Sequence, residues 1–356
     1  MAPFLVAPSF VEPSSSARFA ALWSRHVWQP RATWLTRLLT PLSWLYAFGV
    51  ARLASPLLGV STLPVVVVGN WVVGGAGKTP TVIALVQALA ARGWTVGVVS
   101  RGYGREQEAG VVMVGAASTP AQAGDEPLLI HRRTGVPVSV ALDRRAALDA
   151  LQAAFPAVDV VVADDGLQHT ALARVAEVWV FDDRGVGNGR LLPAGPLRAP
   201  LPRTVPAHAQ VLYTAGGVST DLPGRVAVRQ LGHALPLRAW WSGDTKAAMP
   251  LEALPREGLH ALAGIAAPEK FFAMLEAMGM RFVRIPQPDH ADYTTLPWPA
   301  SVLDVLVTEK DAVKLQPTRI SATRVWVVPL DFALPDGLVD AIVALLPRRR
   351  QTEAHP

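Results

Sequence analysis

At 356 residues the chain is long enough for about two domains and a large core, and its 51% apolar and 17% charged content is that of a folded protein. The absence of cysteine excludes disulfides, thiolate metal sites and cysteine nucleophiles, and fits a reducing compartment. The net charge of +5 is unevenly spread: residues 1–105 carry nine basic residues against one acid, Glu12, and the next acid is Glu106, so this third looks toward an anionic ligand, a nucleic acid or a lipid surface.

The opening "MAPFLVAPSFVEPSSS" is rich in proline and serine, and no Lys or Arg precedes its apolar residues, so no secretory signal is expected. Residues 17–55 interleave Trp23, Trp28, Trp34, Trp44 and Tyr46 with five arginines and many leucines, without an acid. Such a segment suits a helix lying on an anionic membrane surface, which gives peripheral attachment; the same pattern also fits an amphipathic helix packed on its own protein. Neither uncharged stretch nearby reads as a membrane span. Residues 38–51 fall short of the roughly 20 required and contain Pro41, and 53–77 are broken by Pro56, Pro64 and glycines.

From Pro64 onward, apolar runs of strand character alternate with helical stretches. Strands are expected over 64–70, 95–100, 137–142, 158–165, 176–182 and 209–214, with helices over 78–92, 126–135 and 143–155. Nine prolines loosen the pattern between about 185 and 256. A second, smaller series follows, with strands over 259–264, 281–286, 302–308 and 324–329 and helices over 268–279 and 335–346. Strands that are apolar throughout, separated by helix-length segments, signal an α/β fold with a mostly parallel sheet covered by helices on both faces. The expected organisation is a basic, aromatic N-terminal segment bearing an amphipathic helix (1–55), an α/β core (56–235), a linker (236–257), a smaller C-terminal α/β domain (258–347) and a tail (348–356).

The stretch "VVVVGNWVVGGAGKTPTV" (65–82) sets a glycine-rich turn between a β-branched strand and a helix opened by Lys78 and Thr79. It departs from G-x-x-x-x-G-K-[ST] only in its first position, where Val72 shapes the start of the turn rather than touching phosphate. The ATP-binding stretch is Val72, Val73, Gly74, Gly75, Ala76 and Gly77, in which Gly74, Gly75 and Gly77 would let the backbone N–H groups wrap the phosphates; Lys78 would reach the β- and γ-phosphates, and the Thr79 hydroxyl would bind Mg²⁺. The core is therefore expected to be P-loop NTPase-like. "VVVADDGLQH" places Asp164 and Asp165 at the end of an apolar strand, where such a protein keeps the carboxylate that holds Mg²⁺ directly or through water. Two adjacent acids there repel each other unless a cation or base stands near. Gln168 and His169 share that edge, as ligand-orienting or structural residues.

Asp125 and Glu126 stand before a helix, where they either stabilise its dipole or supply a metal ligand and a group that orients a base. Asp289, His290 and Tyr293 sit in a proline-bounded loop of the second domain, from which a histidine can receive a hydroxyl proton across a cleft. In "VTEKDAVKL", Glu309, Lys310, Asp311 and Lys314 are either ordinary helix-start charges or residues that close over the nucleotide.

Taken in order, "GNWVVGGAGKTP", "SRGYGR", "GDEPLLI", "DDGLQH", "GRLLPAGPLR", "AGIAAPEKFF", "PDH" and "TEKDAVK" resemble the tetraacyldisaccharide 4'-kinase family, the lipid A 4'-kinases of Gram-negative envelope synthesis, over about residues 35 to 330. In that family the position of Val72 is also commonly not glycine. The resemblance implies ATP-dependent phosphorylation of the 4'-hydroxyl of a tetraacylated glucosamine disaccharide 1-phosphate, the lipid A disaccharide precursor. It further implies a peripheral or monotopic protein at the cytoplasmic face of the inner membrane, with no obligate protein partner. By similarity, Asp125 and His290 are the pair that deprotonates the sugar hydroxyl, Lys78 is the phosphate clamp, and Thr79, Glu126, Asp164 and Asp165 form the Mg²⁺ neighbourhood. Arg101, Tyr103, Arg144 and Arg198 match positions within family motifs and, with Gln168 and His169, are implied substrate-binding residues. Ala291 departs from the pattern, in which an aromatic residue or second histidine is expected after the first; it leaves His290 intact.

Without the resemblance, the motifs also admit a switch-type P-loop ATPase acting at the membrane surface, or a membrane-binding protein with a degenerate nucleotide site. Intact Lys78, Thr79, Asp164 and Asp165 oppose degeneration. Nucleic-acid binding is not expected, because the basic residues are dispersed among apolar ones and no recognised module is present.

Overall fold

The computed structural model describes residues 22–53, 63–169, 172–320 and 322–348. The beginning of the expected N-terminal segment (1–21), residues 54–62 and all but the first residue of the expected tail lie outside the described residues. The described chain forms two compact units, one of 22–53 with 186–201 and one of 63–185 with 202–348.

The first unit holds a short helix over 22–27 (α1), Trp34–Leu38 (α2) and Thr40–Leu53 (α3). Thr33 caps α2 by accepting the Thr36 amide, and Pro41 at the start of α3 occupies a position whose missing N–H costs nothing. α1 buries Val27, whereas the buried side of α2 and α3 is polar, with Thr36 and Ser43. The Ser43 hydroxyl donates to the Leu191 carbonyl at 2.9 Å and accepts the Ala194 amide at 3.0 Å, the Tyr46 hydroxyl donates to the Arg198 carbonyl, and Arg190 donates to the Thr40 hydroxyl. Trp34, Leu38, Leu42, Trp44, Leu45 and Phe48 are exposed instead, Trp44 and Leu45 at 70%. No helix among the described residues is long and apolar enough to cross a membrane.

The second unit carries two main sheets. Val65–Gly69 (β1), Val96–Ser100 (β2), Val112–Val114 (β3), Val138–Val140 (β4), Val160–Asp164 (β5), Ala176–Phe181 (β6), Ala209–Tyr213 (β7) and Arg225–Val226 (β8) form an eight-stranded sheet in the order β3-β4-β2-β5-β1-β6-β7-β8. Every pairing is parallel except β3 with β4. Val65 to Val68 are fully buried, as are Val160 to Ala163, because helices cover both faces of a parallel sheet. Lys78–Ala91 (α4) buries Val82, Leu85, Val86 and Leu89, and Arg144–Ala154 (α7) buries Ala147, Leu148 and Leu151. Between them in sequence lie Pro120–Ala123 (α5) and Asp125–Thr134 (α6).

The second sheet has the order β10-β14-β13-β11-β12, from Leu235–Pro236 (β10), Leu259–Ala263 (β11), Val283–Pro286 (β12), Asp304–Thr308 (β13) and Arg324–Val328 (β14). Leu237–Ser242 (α8), Pro268–Ala277 (α9), Glu309–Ala312 (α10) and Leu338–Val343 (α11) accompany it, and Val228–Leu231 (β9) pairs antiparallel with Leu330–Ala333 (β15). One apolar cluster joins the two sheets, running from Val66, Val68 and Leu85 to Leu262, Val305, Val307 and Phe332. The mostly parallel α/β architecture expected from the apolar runs is the one observed. The loosened region 185–256 nevertheless contains β8, β9, β10 and α8, short elements whose residues are too few to show a period.

Candidate active site

The carboxyl end of β1 runs into the loop 70–77, and α4 begins at Lys78. Gly77 adopts φ +90°, and a Cβ there would stand 3.1 Å from the Thr214 hydroxyl and 3.2 Å from the Phe332 ring, so only glycine turns the chain into the helix. Side chains fix the loop's carbonyls and leave its amides for a ligand. Asn70 donates to the Gly74 carbonyl, Thr214 to Ala76 at 2.8 Å, and Arg184 to Gly75 at 3.0 Å. Val72 is wholly buried, as is Ala76. Lys78 Nζ lies 3.4 Å from Asn70 Oδ1 and 3.6 Å from Asp165 Oδ1, and Gln168 donates to the Asn70 carbonyl at 2.8 Å.

Asp164 closes β5 next to β1 and is 1% exposed. Ser100 donates to its Oδ2 at 3.2 Å, whereas Oδ1 has no hydrogen-bond partner. Burial, with Glu126 and Asp165 adding like charge, pushes the Asp164 carboxyl up to about 7 against the pull of Lys78 and Arg144. An orphaned buried carboxylate oxygen among converging acids is the chemistry of a cation site. Among the described residues no three His, Asp or Glu side chains converge into a preformed ion cage. Mg²⁺ suits such a place, since it binds through one or two carboxylates and completes its shell with substrate phosphates and water. Asp165 itself has φ +51°, and His290 has φ +61°; these are the two non-glycine residues with positive φ among those described. Strain of this kind concentrates at functional sites.

Arg144 opens α7, is 4% exposed and donates to the Ala141 carbonyl. Burial lowers its affinity for a proton, opposed by Asp164 and Asp165. His169 accepts the Arg144 amide on Nε2 at 3.4 Å, and burial together with Arg144 holds its imidazole below the usual range, hence neutral. Arg101 is exposed in the loop after β2, and Tyr103 is 66% exposed. Arg198 belongs to the first unit, where its carbonyl receives the Tyr46 hydroxyl.

Asp125 and Glu126 occupy the first turn of α6, whose last turn carries His131, Arg132 and Arg133, so both ends match the helix dipole. Asp125 Oδ2 lies 3.1 Å from His290 Nδ1, across from the loop after β12. His290 Nε2 lies 3.4 Å from Lys310 Nζ, and an ammonium can only donate. Nε2 is therefore the acceptor and Nδ1 carries the hydrogen given to Asp125. Lys310 also binds Glu126 at 3.1 Å and Asp289 at 3.0 Å; burial disfavours its charge, but these two carboxylates outweigh it and raise the ammonium's pKa. The Tyr103 ring packs edge-on against His290 with centroids 5.1 Å apart. Beneath Asp125, the buried Lys314 Nζ stands 3.9 Å from Asp125 Oδ2, 3.5 Å from Asp311 and 4.8 Å from the Tyr293 ring. Tyr293 donates to Asp311 at 2.6 Å, and burial beside that carboxylate drives its hydroxyl far up.

The fold thus gathers Lys78, Thr79, Asp164, Asp165, Gln168, His169 and Arg144 at one sheet edge, and pairs Asp125 and Glu126 with His290 and Lys310. Sequence reasoning missed Asn70, Ser100, Arg184, Thr214 and Lys270. The first two end or follow apolar strands, a position that could have flagged them, while Thr214 and Lys270 become neighbours of the site only through long-range packing.

A family model described as tetraacyldisaccharide-1-P 4'-kinase matches residues 35–347. A tetraacyldisaccharide 4'-kinase of Leptothrix cholodnii is 51% identical over 328 residues, covering 90% of this chain and 92% of that protein. One of Methylibium petroleiphilum is 51% identical over 327 residues, covering 87% and 91%. Among solved structures, an LpxK of Aquifex aeolicus in complex with ATP matches with a TM-score of 0.69 at 25% identity, covering 88% of this chain and 100% of that one. The glycine loop at the carboxyl end of an interior parallel strand, with a carboxylate at the end of the neighbouring strand, defines a P-loop nucleotide-binding fold. Within that class, the chain belongs to the tetraacyldisaccharide-1-P 4'-kinase family.

Proposed function

We propose that this chain transfers the γ-phosphoryl group of ATP to the 4'-hydroxyl of a tetraacylated glucosamine disaccharide 1-phosphate, working peripherally at the cytoplasmic face of the inner membrane. The observation that carries the reading is the hydrogen bond from His290 Nδ1 to Asp125 at 3.1 Å, which joins a base pair drawn from two sheets to the unit that holds the phosphate loop. The loop amides bind the phosphates, and Lys78 leaves Asp165 and Asn70 to clamp them. Asp125, oriented by His290, takes the hydroxyl proton as the sugar oxygen attacks phosphorus and ADP departs. Thr79, Asp164, Asp165 and Glu126 are the residues that would hold Mg²⁺, which when bound neutralises phosphate charge. Arg101, Tyr103, Arg144, Gln168 and His169 are available to orient the sugar.

Attachment to the membrane is supported by the inverted polarity of the first unit. A helix that turns serine, threonine and tyrosine inward and tryptophan, leucine and phenylalanine outward leaves its apolar face for a partner such as lipid acyl chains. Arg37 and Arg52, both exposed, suit anionic headgroups.

The test is phosphate transfer from labelled ATP with Mg²⁺ to the lipid disaccharide in detergent micelles. Transfer is expected, with His290→Ala and Asp125→Ala each lowering kcat by roughly 10²-fold or more while ATP affinity is largely kept. ATP turnover that is equal with and without the lipid would favour a switch-type ATPase and overturn the kinase reading.

A further inference from the structure

β6 ends, like β5, in adjacent acids, Asp182 and Asp183, and Arg184 follows them. Asp182 is 1% exposed. It accepts the Arg184 amide at 3.1 Å, the Arg184 Nε at 2.9 and 3.1 Å, and Lys270 Nζ at 2.9 Å. Lys270, on α9 of the second sheet, also binds Asp183 at 2.5 Å. The guanidinium is thereby gripped through Nε, and its outer edge turns to the phosphate loop. Nη2 donates to the Gly75 carbonyl at 3.0 Å, and Nη1 and Nη2 lie 3.6 and 3.7 Å from the point where a Cβ on Gly74 would stand.

Arg229 adds to this cluster from β9: its Nη2 donates to the Thr214 hydroxyl, which in turn donates to the Ala76 carbonyl. The group comprises three cations, Arg184, Lys270 and Arg229, against two acids, Asp182 and Asp183, so it presents a net positive charge beside a loop that contains no acid. A planar fork held rigidly at its base and aimed across the third and fourth residues of a phosphate loop is what phosphoryl transfer uses to absorb charge developing on the transferred oxygens.

We propose that Arg184 acts in cis on the phosphoryl group in transit, with Asp182 and Lys270 as positioning residues. The proposal rests on the kinase reading above. As the sugar oxygen bonds to phosphorus and the bond from phosphorus to the bridging oxygen breaks, the electron pair stays on ADP and the hydroxyl proton passes to Asp125. Arg184 forms no bond and only stabilises the equatorial oxygens between the two partners. Its hydrogen bond to the Gly75 carbonyl holds the same fork against the loop.

The experiment compares wild type, Arg184→Ala and Arg184→Lys in the presence of Mg²⁺, measuring lipid phosphorylation, ATP affinity, and affinity for ADP with and without aluminium fluoride. Arg184→Ala is expected to lower kcat about 10³-fold, to change ATP affinity by less than about threefold, and to abolish the extra affinity that aluminium fluoride confers on ADP. Added guanidinium ion should restore part of the lost rate. Arg184→Lys, which keeps charge and bulk but not the fork, should show the same loss in milder form. A kcat within about threefold of wild type, or matched losses of rate and ATP affinity without guanidinium rescue, would overturn the proposal and leave Arg184 as a brace for the Gly75 carbonyl. Failure of wild type to phosphorylate the lipid would instead strike the kinase reading, and the aluminium fluoride measurement still decides the arginine.

Discussion

Asp164 shows how one residue can be unstable by design. Its folded carboxyl titrates near 7, above the ordinary 3.8, because it is buried among Glu126 and Asp165. A carboxyl raised in the folded state contributes stability below its unfolded pKa and loses that contribution as pH climbs through the folded value. The metal-free protein is therefore expected to lose a few kcal/mol between about pH 4 and pH 7. Melting curves should show Tm falling over that window, Asp164→Asn flattening the fall, and Mg²⁺ raising Tm most above pH 7; a pH-independent difference between wild type and variant would contradict this. At this scale the sequence was informative where chemistry is crowded. Doubled acids at a strand end announced a cation, and Asp182 and Asp183 follow the same rule with Lys270 and Arg184. The partner of His290 could not be read by spacing, since Asp125 lies 165 positions away.

Among the elements, α6 is the strut between the two sheets. Its first turn meets His290 and Lys310, and its last turn reaches Glu309 and Asp331 through Arg133, at 2.6 and 2.5 Å. Glu309 is 6% exposed and also accepts the Trp240 indole N–H at 3.0 Å. Burial raises its carboxyl even though Arg133 and Trp240 pull it down, so removing the arginine strands a buried charge. Arg133→Ala is expected to destabilise the unit by about 3 kcal/mol or more, measured by urea unfolding; a change within the scatter of surface substitutions would show that water replaces the guanidinium. β1 and β5 were legible because burial on both faces keeps them apolar up to Gly69 and Asp164, and α4 because Val82, Leu85, Val86 and Leu89 recur at helical spacing. β3, β9 and β15 were not, because each is four residues or fewer, and β9 finds its partner about a hundred positions on, which no local period records.

For the whole molecule, the charge bias of the first third and the outward apolar face of α2 and α3 bear on one question, which surface the enzyme works on. Trp44→Ser with Phe48→Ser is expected to reduce recovery on anionic vesicles roughly tenfold or more, since each removes buried apolar area at the interface, while the same pair leaves ATP affinity unchanged. Sedimentation with vesicles of neutral and anionic lipid measures both contributions. Unaltered recovery would assign attachment to residues outside these helices.

The apolar cluster that runs from Val66 and Leu85 to Val305 and Phe332 is shared by both sheets, while a second cluster around Leu259, Phe272, Leu275 and Leu306 belongs to the second sheet alone. Calorimetry of this unit should accordingly give a single cooperative transition, and two resolved peaks would speak against a shared core. The result reaches beyond architecture. A nucleotide that occupies the loop after β1 would shield the far sheet from opening as well as the near one, so susceptibility to proteolysis anywhere in the unit would fall when ATP is abundant and rise when it is scarce.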